Sequence, residues 1–437
     1  MKIAFVLNHF LPYNIAGTEI YTWALSKHLI TKNIAVIIII PNFKSNETIH
    51  YLYEGIEVIS FPTSKIQDKL TIMGLKKPEG LNEFKNILEK ENPDIIHFQE
   101  YSRGSGIGIE HIKIAKSLNK IIVNTFHISE YTCQTNELIY KGKYICDGVI
   151  NINKCSNCYL HKRKQSHFSF ILIPLSNLLN LFGIDSRKWA NKIGTALGTT
   201  NIIRNLKSDF LKTISITDQT VVLTEWYYNI LVKNKVPKNK LKIIKQGLPT
   251  HKVSNNNELV INKKLKIIFI GRICYEKGLH LLIDALLKLN KNDIELDIYG
   301  QSMKTDYENS LKTKTLNYHN INWKGVINNQ DVYSKMIKYD ALCLCSMSEM
   351  SPLVIQEAFA AKVPVIASNV YGNAEQIKDG INGLLFKFNN ADSLKEQLEK
   401  CIKDKGLLSQ LKHSINIPRS FERVADEHLK LYSELIQ

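Results

Sequence analysis

Apolar and polar positions alternate along this chain in two registers. Short, nearly continuous apolar runs at residues 2–8, 35–40, 94–98 and 121–126 have the character of strands buried on both faces. Two shorter β-like runs lie within residues 49–61. Helix-period stretches separate the runs. One follows Gly17, with Tyr21, Leu25 and Leu29 on its apolar face and Thr18 expected to cap it; another ends at the Asn92-Pro93 break. This alternation predicts a doubly wound parallel α/β sheet. The rhythm stops between about residues 128 and 198. It resumes with a helical stretch before Asp218 and a run at 220–224, expected to be the last strand of the first domain. A helix in TEWYYNILVKN follows, with Trp226, Ile230 and Leu231 on its apolar face.

The second half repeats the pattern. Strand-like runs occur at residues 265–270, 296–299, 321–326, 341–345 and 364–368, with helical stretches near Val332, at 392–402 and at 420–436. The asparagine-rich stretch 251–263 reads as a polar linker. At 437 residues the chain is long enough for two domains with separate cores. The expected division is an N-terminal Rossmann-like domain at 1–250, the linker at 251–263, a second Rossmann-like domain at 264–416 and a last helical segment at 417–437. No internal repeat or low-complexity segment interrupts it.

Composition narrows the partners. Hydrophobic residues make up 44% and charged residues 22%, as in globular proteins. Lys and Arg total 57 against 41 Asp and Glu, a formal charge of +16, which suits nucleotides or an anionic membrane surface. The lysines are scattered and form no aromatic-interleaved patch, so no nucleic acid is expected. The start, MKIAFVLNHF, reads as a strand and not a leader. No apolar run reaches the roughly 18–20 residues needed to cross a bilayer, so a cytoplasmic location is expected. The run FSFILIPLSNLLNLF, residues 168–182, is too apolar for an ordinary surface loop. With Lys162, Arg163 and Lys164 before it, it reads either as an interfacial segment at the inner membrane face or as packing for the first domain. Pro174 is expected to interrupt any long helix there.

Candidate chemistry concentrates in residues 346–386. Glu349 and Glu357 flank seven residues. Glu349 is expected on a strand-to-helix loop and Glu357 a turn or more into a helix opened by Ser351 and Pro352, proline suiting a first helical position. The free amides at the helix start, near Ser351 and Leu353 on either side of Pro352, are expected to form an anion site at the sheet's carboxyl edge, where open α/β sheets bind ligands. Upstream, Arg272 stands just past a strand and Lys277 just before a helix, a pair of cations suited to a diphosphate. In the first domain Gly17 follows a strand and leaves room for a phosphate beside the backbone. His127 closes the strand VNTFH; His97 is a weaker candidate for the same crevice.

Together, E-x7-E, EAFAAKVPVIAS and the GxxE run ending DGINGLLF resemble the donor-site signature of the family 4 retaining glycosyltransferases. The resemblance covers most of the chain outside 128–198. It implies the GT-B fold: two Rossmann-like doubly wound domains facing a central cleft, with the last helix crossing back to the first domain. It also implies a nucleotide-diphosphate sugar donor held mainly by the second domain. The G-R-x4-K-G run resembles the family's diphosphate-binding pair, placing Arg272 and Lys277 on the diphosphate with the amides near Ser351. Glu357 then takes the ribose hydroxyls, and Glu349 lies near the donor sugar's reacting carbon. His127 falls where the family carries its active-site histidine, and Gly17 where it usually carries two glycines. The implied acceptor is a glycan or polyprenyl-linked glycan near His127, the Gly17 loop and the insertion, in surface polysaccharide assembly. No catalytic metal is expected. A sugar-nucleotide epimerase and a noncatalytic nucleotide-sugar-binding scaffold are the alternatives.

Four of the eight cysteines crowd the insertion. Cys133, Cys146, Cys155 and Cys158 are separated by twelve, eight and two residues, a spacing that suits a closed tetrahedral zinc site of structural role, with His161 in reserve. Unpaired thiols and two disulfides are the competing readings.

Overall fold

The structure is a computed structural model describing residues 1–64, 68–102, 106–249, 264–328 and 331–437. The expected linker at 251–263 lies outside the described residues. The chain divides into two compact units, Met1–Lys245 with Phe421–Gln437, and Gln246–Ser420.

The first unit contains strands β1 (Lys2–Val6), β2 (Ala35–Asn42), β3 (Ile49–Tyr53), β4 (Ile56–Pro62), β5 (Ile95–Phe98), β6 (Ile121–Phe126), β7 (Ile139–Tyr140), β8 (Tyr144–Ile145), β9 (Gln219–Val222) and β10 (Leu241–Ile243). Eight of them form one sheet in the order β10-β9-β6-β5-β1-β2-β4-β3, parallel except for β3 against β4. The apolar runs pair centrally: Ala4 of β1 lies opposite Ile37 of β2 and Ile96 of β5. Two corrections follow. The strand at 220–224 is not the last of its sheet, because β10 adds a further edge. Thr18 does not cap the first helix, Gly17–Thr31; Ala16 stands at the cap position, and the Thr18 carbonyl instead accepts from Thr22 Oγ1 inside the helix.

The last helix, Phe421–Ile436, belongs to this unit and buries Phe421, Val424, His428 and Tyr432. It lies against the first helix, where Tyr21 Oη and His428 Nε2 are 2.7 Å apart. His97 is fully buried, with Nδ1 2.6 Å from Tyr432 Oη and Nε2 2.7 Å from Thr125 Oγ1. Both ring nitrogens are thus used in the core, and His97 is a packing residue and not a crevice ligand.

The insertion is more regular than its broken α/β rhythm implies. It forms the β7–β8 hairpin and helices Ile152–Lys162, Ser169–Leu181 and Lys192–Leu197, placed against the long helix Thr199–Ile216. Pro174 sits inside Ser169–Leu181 and does not end it. The proline removes the amide that would reach the Phe170 carbonyl, and because Phe170 is at the surface water can satisfy that oxygen.

The second unit has an all-parallel sheet of β11 (Leu265–Ile270), β12 (Ile294–Tyr299), β13 (Ile321–Gly325), β14 (Ala341–Leu344), β15 (Val365–Ser368) and β16 (Gly383–Phe386), in the order β13-β12-β11-β14-β15-β16. Helices cover both faces, so Ile267 and Cys343 enter one core cluster while Ile268 and Leu344 enter another. Each sheet reverses its winding direction once, between β1 and β5 in the first unit and between β11 and β14 in the second. Such reversals open a crevice at the strands' carboxyl ends. Among the described residues, no helix is long and apolar enough to cross a membrane.

Candidate functional site

The second unit's winding reversal gathers most of the candidate donor residues. After β11 the chain passes exposed Arg272 and a short turn, Tyr275–Lys277, before the helix Leu279–Leu286. Gly278 joins them at φ +68°, and a Cβ there would lie 2.1 Å from the Cys345 carbonyl oxygen. Only glycine allows this approach. It brings the Lys277 turn against the loop after β14, where the Met347 amide donates to Glu276 O at 2.8 Å. Lys277 Nζ and Glu349 Oε1 then form an ion pair between two mostly buried side chains. The Glu349 loop is held from the other side by Gly372, whose amide donates to Glu349 O at 3.0 Å and whose Cβ would lie 2.1 Å from Met350 O.

The helix after this loop is Leu353–Ala360. Pro352, expected at its first position, is instead the residue before it, buried and extended at φ −68°, ψ 122°. Its ring fixes φ without requiring helical ψ, so it suits either place. Ser351 and Leu353 are half-buried beside this helix start. Glu357 is five residues into the helix. Its surface is only partly covered, yet loss of water around the carboxyl pushes it up to about 7. The reversal thus presents two cations, one paired carboxylate, one poorly solvated carboxylate and the start of a helix.

Beside the first unit's reversal, on the strand next to β5, His127 closes β6 and places Nε2 2.8 Å from Gln99 Oε1, with its ring against Tyr21 at 4.8 Å. Burial lowers its imidazole to about 3, so it is neutral near pH 7. Gly17 is the first residue of its helix and is exposed, and a Cβ there would touch nothing within 4 Å. Sequence reasoning missed four neighbours of these groups: Asn8, Glu19, Gln99 and Glu100. Asn8 Oδ1 accepts the Ile107 amide at 2.7 Å. Burial raises both Glu19, which accepts from Asn14 Nδ2 at 2.5 Å, and Glu100, which Asn8 partly stabilises by hydrogen bonding. Their signal was position: Asn8 and Gln99–Glu100 directly follow the two strands at the reversal. A cavity of about 600 Å³ in the same unit is lined by Tyr101, Glu130, Tyr131, Arg163 and Phe210; neither His127 nor Gly17 lines it.

The four insertion cysteines are half-buried and form no disulfide. The β7–β8 hairpin draws them toward one another. The Leu138 amide donates to Cys133 Sγ at 3.4 Å and the Lys141 amide to Cys158 Sγ at 3.3 Å, while the Cys146 amide donates to Leu138 O. Cys155, pushed up to about 11 by burial, lies on the same helix as Cys158. Among the described residues, however, no group of three or more His, Cys, Asp or Glu side chains is set to hold a metal ion.

The family of glycosyl transferases group 1 matches residues 252–416, nearly all of the second unit. An uncharacterized 41.2 kDa protein from the cps region of Klebsiella pneumoniae is 27% identical over 226 residues, 50% of this chain and 58% of that protein. An O-antigen biosynthesis glycosyltransferase of Escherichia coli is 31% identical over 165 residues, 38% of this chain and 44% of its own. The chain spans little more than half the length of the first curated relatives it matches. The structure of Anabaena HepE in complex with UDP superposes with TM-score 0.64 at 14% identity, covering 99% of this chain and 100% of that one. The fold is GT-B, two Rossmann-like α/β units with parallel sheets.

Proposed function

We propose that the protein is a retaining glycosyltransferase that moves a sugar from a nucleotide-diphosphate sugar to a glycan or polyprenyl-linked glycan during surface polysaccharide assembly. The observation that carries this reading is the meeting of Arg272, Lys277, Glu349 and the Leu353–Ala360 helix start at one sheet reversal. Breaking the bond from sugar to diphosphate leaves negative charge on the phosphate oxygens. Lys277, Arg272 and the amides at the helix start supply opposing charge and hydrogen-bond donors in fixed positions, which favours the transition state over the ground state. In the unliganded protein Lys277 is neutralised by Glu349. A diphosphate arriving beside Lys277 shares that ammonium, leaving Glu349 oriented next to the sugar. Glu357 accepts from the ribose hydroxyls as a carboxylate. His127, neutral and oriented by Gln99, offers a ring nitrogen to a sugar oxygen. Both candidate routes preserve configuration: front-face departure and attack forms no bond to the protein, whereas a covalent intermediate requires Glu349 to bond the reacting carbon as the diphosphate leaves and to be displaced by the acceptor hydroxyl.

The relatives support the reading: one is named for O-antigen biosynthesis, and HepE was solved with UDP. The test is a thermal-shift screen against UDP-, GDP-, ADP- and dTDP-sugars, followed by product analysis with the donor that binds. Binding at a hundred times Kd stabilises the native state by about 2.7 kcal/mol. No shift with any donor overturns the reading, and epimer formation without transfer reassigns it to an epimerase.

We also propose that Cys133, Cys146, Cys155 and Cys158 close on one structural zinc. The hairpin and its amide donors to sulfur support this, although the thiols must draw closer than they stand here. Protein purified without a metal-affinity column is expected to carry about one zinc per chain, with a chelator lowering its melting temperature. Less than about a tenth of that occupancy, with four thiols titrating in native protein, removes the idea.

A further inference from the structure

The helix Ser169–Leu181 is built inside out. A helix on a globular protein turns its apolar stripe to the core. Here Ile171, Leu175, Leu178 and Phe182 recur at helical spacing, and all are exposed. Phe170 and Leu181 stand out further, at 73% and 81% exposure. The single fully buried side chain of the helix is polar: Ser176, whose Oγ lies 2.7 Å from Thr200 Oγ1 and accepts the Thr200 amide at 3.2 Å. The helix therefore meets its neighbour through polar contacts, Ser176 with Thr200 and Asn177 with Arg204; Leu172, Ile173 and Leu179 are half-buried, and Phe170, Ile171, Leu175, Leu178 and Leu181 are given to solvent. The apolar surface continues after the helix through Trp189, 49% exposed, and Ile193, 67% exposed. Contiguous apolar surface on this scale marks an interaction site.

The charges say which kind. The helix carries no charged residue. Exposed Arg163 and Lys164 precede it, and exposed Lys188 and Lys192 follow it. The one acidic residue between Lys162 and Ile193 is Asp185, held by Arg187 with Nε–Oδ1 at 2.8 Å. An apolar face with cations at both ends and no free acid complements an anionic lipid surface, where phenyl and leucyl groups enter the acyl boundary and lysines meet the headgroups. Trp189 is of the type enriched at that boundary. At 13 residues the helix is too short to span a bilayer but long enough to lie along one. A second copy fits less well. Because both ends of this face are cationic, a two-fold contact through it sets the lysines of one copy near those of the other, on a chain already at +16.

We propose that the outward face of residues 168–193 docks the protein on an anionic membrane surface, with the helix Ser169–Leu181 in the plane of the interface. The inference stands apart from the glycosyltransferase reading, and its test needs no turnover. Full-length protein is floated with vesicles of phosphatidylcholine alone and of phosphatidylcholine mixed equally with phosphatidylglycerol. The wild type is expected to float with the anionic vesicles. The variant Phe170→Ser/Leu178→Ser/Leu181→Ser is expected to lose roughly tenfold or more in partitioning at unchanged melting temperature. The variant Lys164→Gln/Lys188→Gln/Lys192→Gln, which leaves the apolar face intact, is expected to lose the preference for anionic lipid and its salt sensitivity. Wild-type flotation by the serine variant overturns the proposal. So does failure of the wild type to float while it forms a dimer that the serine variant abolishes, which makes the face a contact between copies.

Discussion

The two sheet reversals are built alike and finished differently. In each, a central apolar strand passes to its neighbour on one side and the chain returns on the other, leaving the carboxyl ends of β1 and β5, or of β11 and β14, beside each other. The second unit follows these strands with exposed Arg272 and with Lys277 and Glu349, which form an ion pair. The first unit follows its strands with the neutral amides of Asn8 and Gln99, with Glu100, which burial raises, and, after the neighbouring β6, with His127, which burial holds neutral near pH 7. A shared backbone device thus yields one edge of paired charge, to which the proposed function assigns the diphosphate, and one edge rich in neutral groups, to which it assigns sugar hydroxyls. What distinguishes them is pairing: on the second edge Lys277 meets Glu349 across two loops, whereas on the first the His127 imidazole, neutral through burial, meets only the Gln99 amide.

The strongest way to break this contrast is to remove the charge from the second edge. Lys277→Ala and Glu349→Gln are each expected to lower kcat roughly a hundredfold or more while circular dichroism stays unchanged. Wild-type turnover in both variants, with any accepted donor, would refute the assignment of this edge to the donor. Next in size is the glycine that brings the two loops together. Gly278→Ala puts a Cβ against the Cys345 carbonyl at positive φ and is expected to cost about 3 kcal/mol, seen as a lower urea midpoint and weaker donor binding. An unchanged midpoint would mean that the loops are not locked by this contact.

The smallest effects are opposite in sign at the two edges. His127 is lowered to about 3, so the unfolded chain binds a proton near pH 6.5 that the native state refuses. Its share of stability is full above about pH 6.5 and is lost as the pH falls toward 3. Between about pH 7.5 and 5, the stability of wild type relative to His127→Asn is expected to fall by about 2 kcal/mol. Glu357 is raised to about 7, so the native state holds a proton that the unfolded chain releases near pH 4.5. Its share is full below about 4.5 and is lost as the pH rises through about 7. Glu357→Gln is therefore expected to gain on wild type by on the order of 1–2 kcal/mol from about pH 5 to about pH 8. Comparing each variant with wild type cancels the shifts of Glu19 and Glu100, which both proteins share; His97, lowered further by His127, cancels only in the Glu357→Gln comparison. Melting curves across this range check both slopes, and parallel slopes would erase the contrast.

Much of this architecture was legible in the chain. Strands buried on both faces must be apolar throughout, so β1, β2, β5, β6, β11 and β14 announced themselves, and with them the loops that carry Arg272, Lys277 and Glu349. The last amphipathic helix was equally plain, because its stripe faces a core. What tertiary structure alone decided follows from the same physics. β10 is a three-residue edge whose place depends on β9 and not on its own pattern. His97 and His127 lie at the ends of adjacent strands, and only packing made one a core residue bonded at both nitrogens and the other a ring at the crevice edge. The pairing of Lys277 with Glu349 joins positions 72 residues apart, which no local periodicity encodes. In the helix Ser169–Leu181 the apolar stripe could be read from sequence, but its direction could not. Periodicity tells which residues share a face, whereas the side that faces solvent is set by what the helix packs against, and here the polar contacts of Ser176 with Thr200 and Asn177 with Arg204 lie on the inner side.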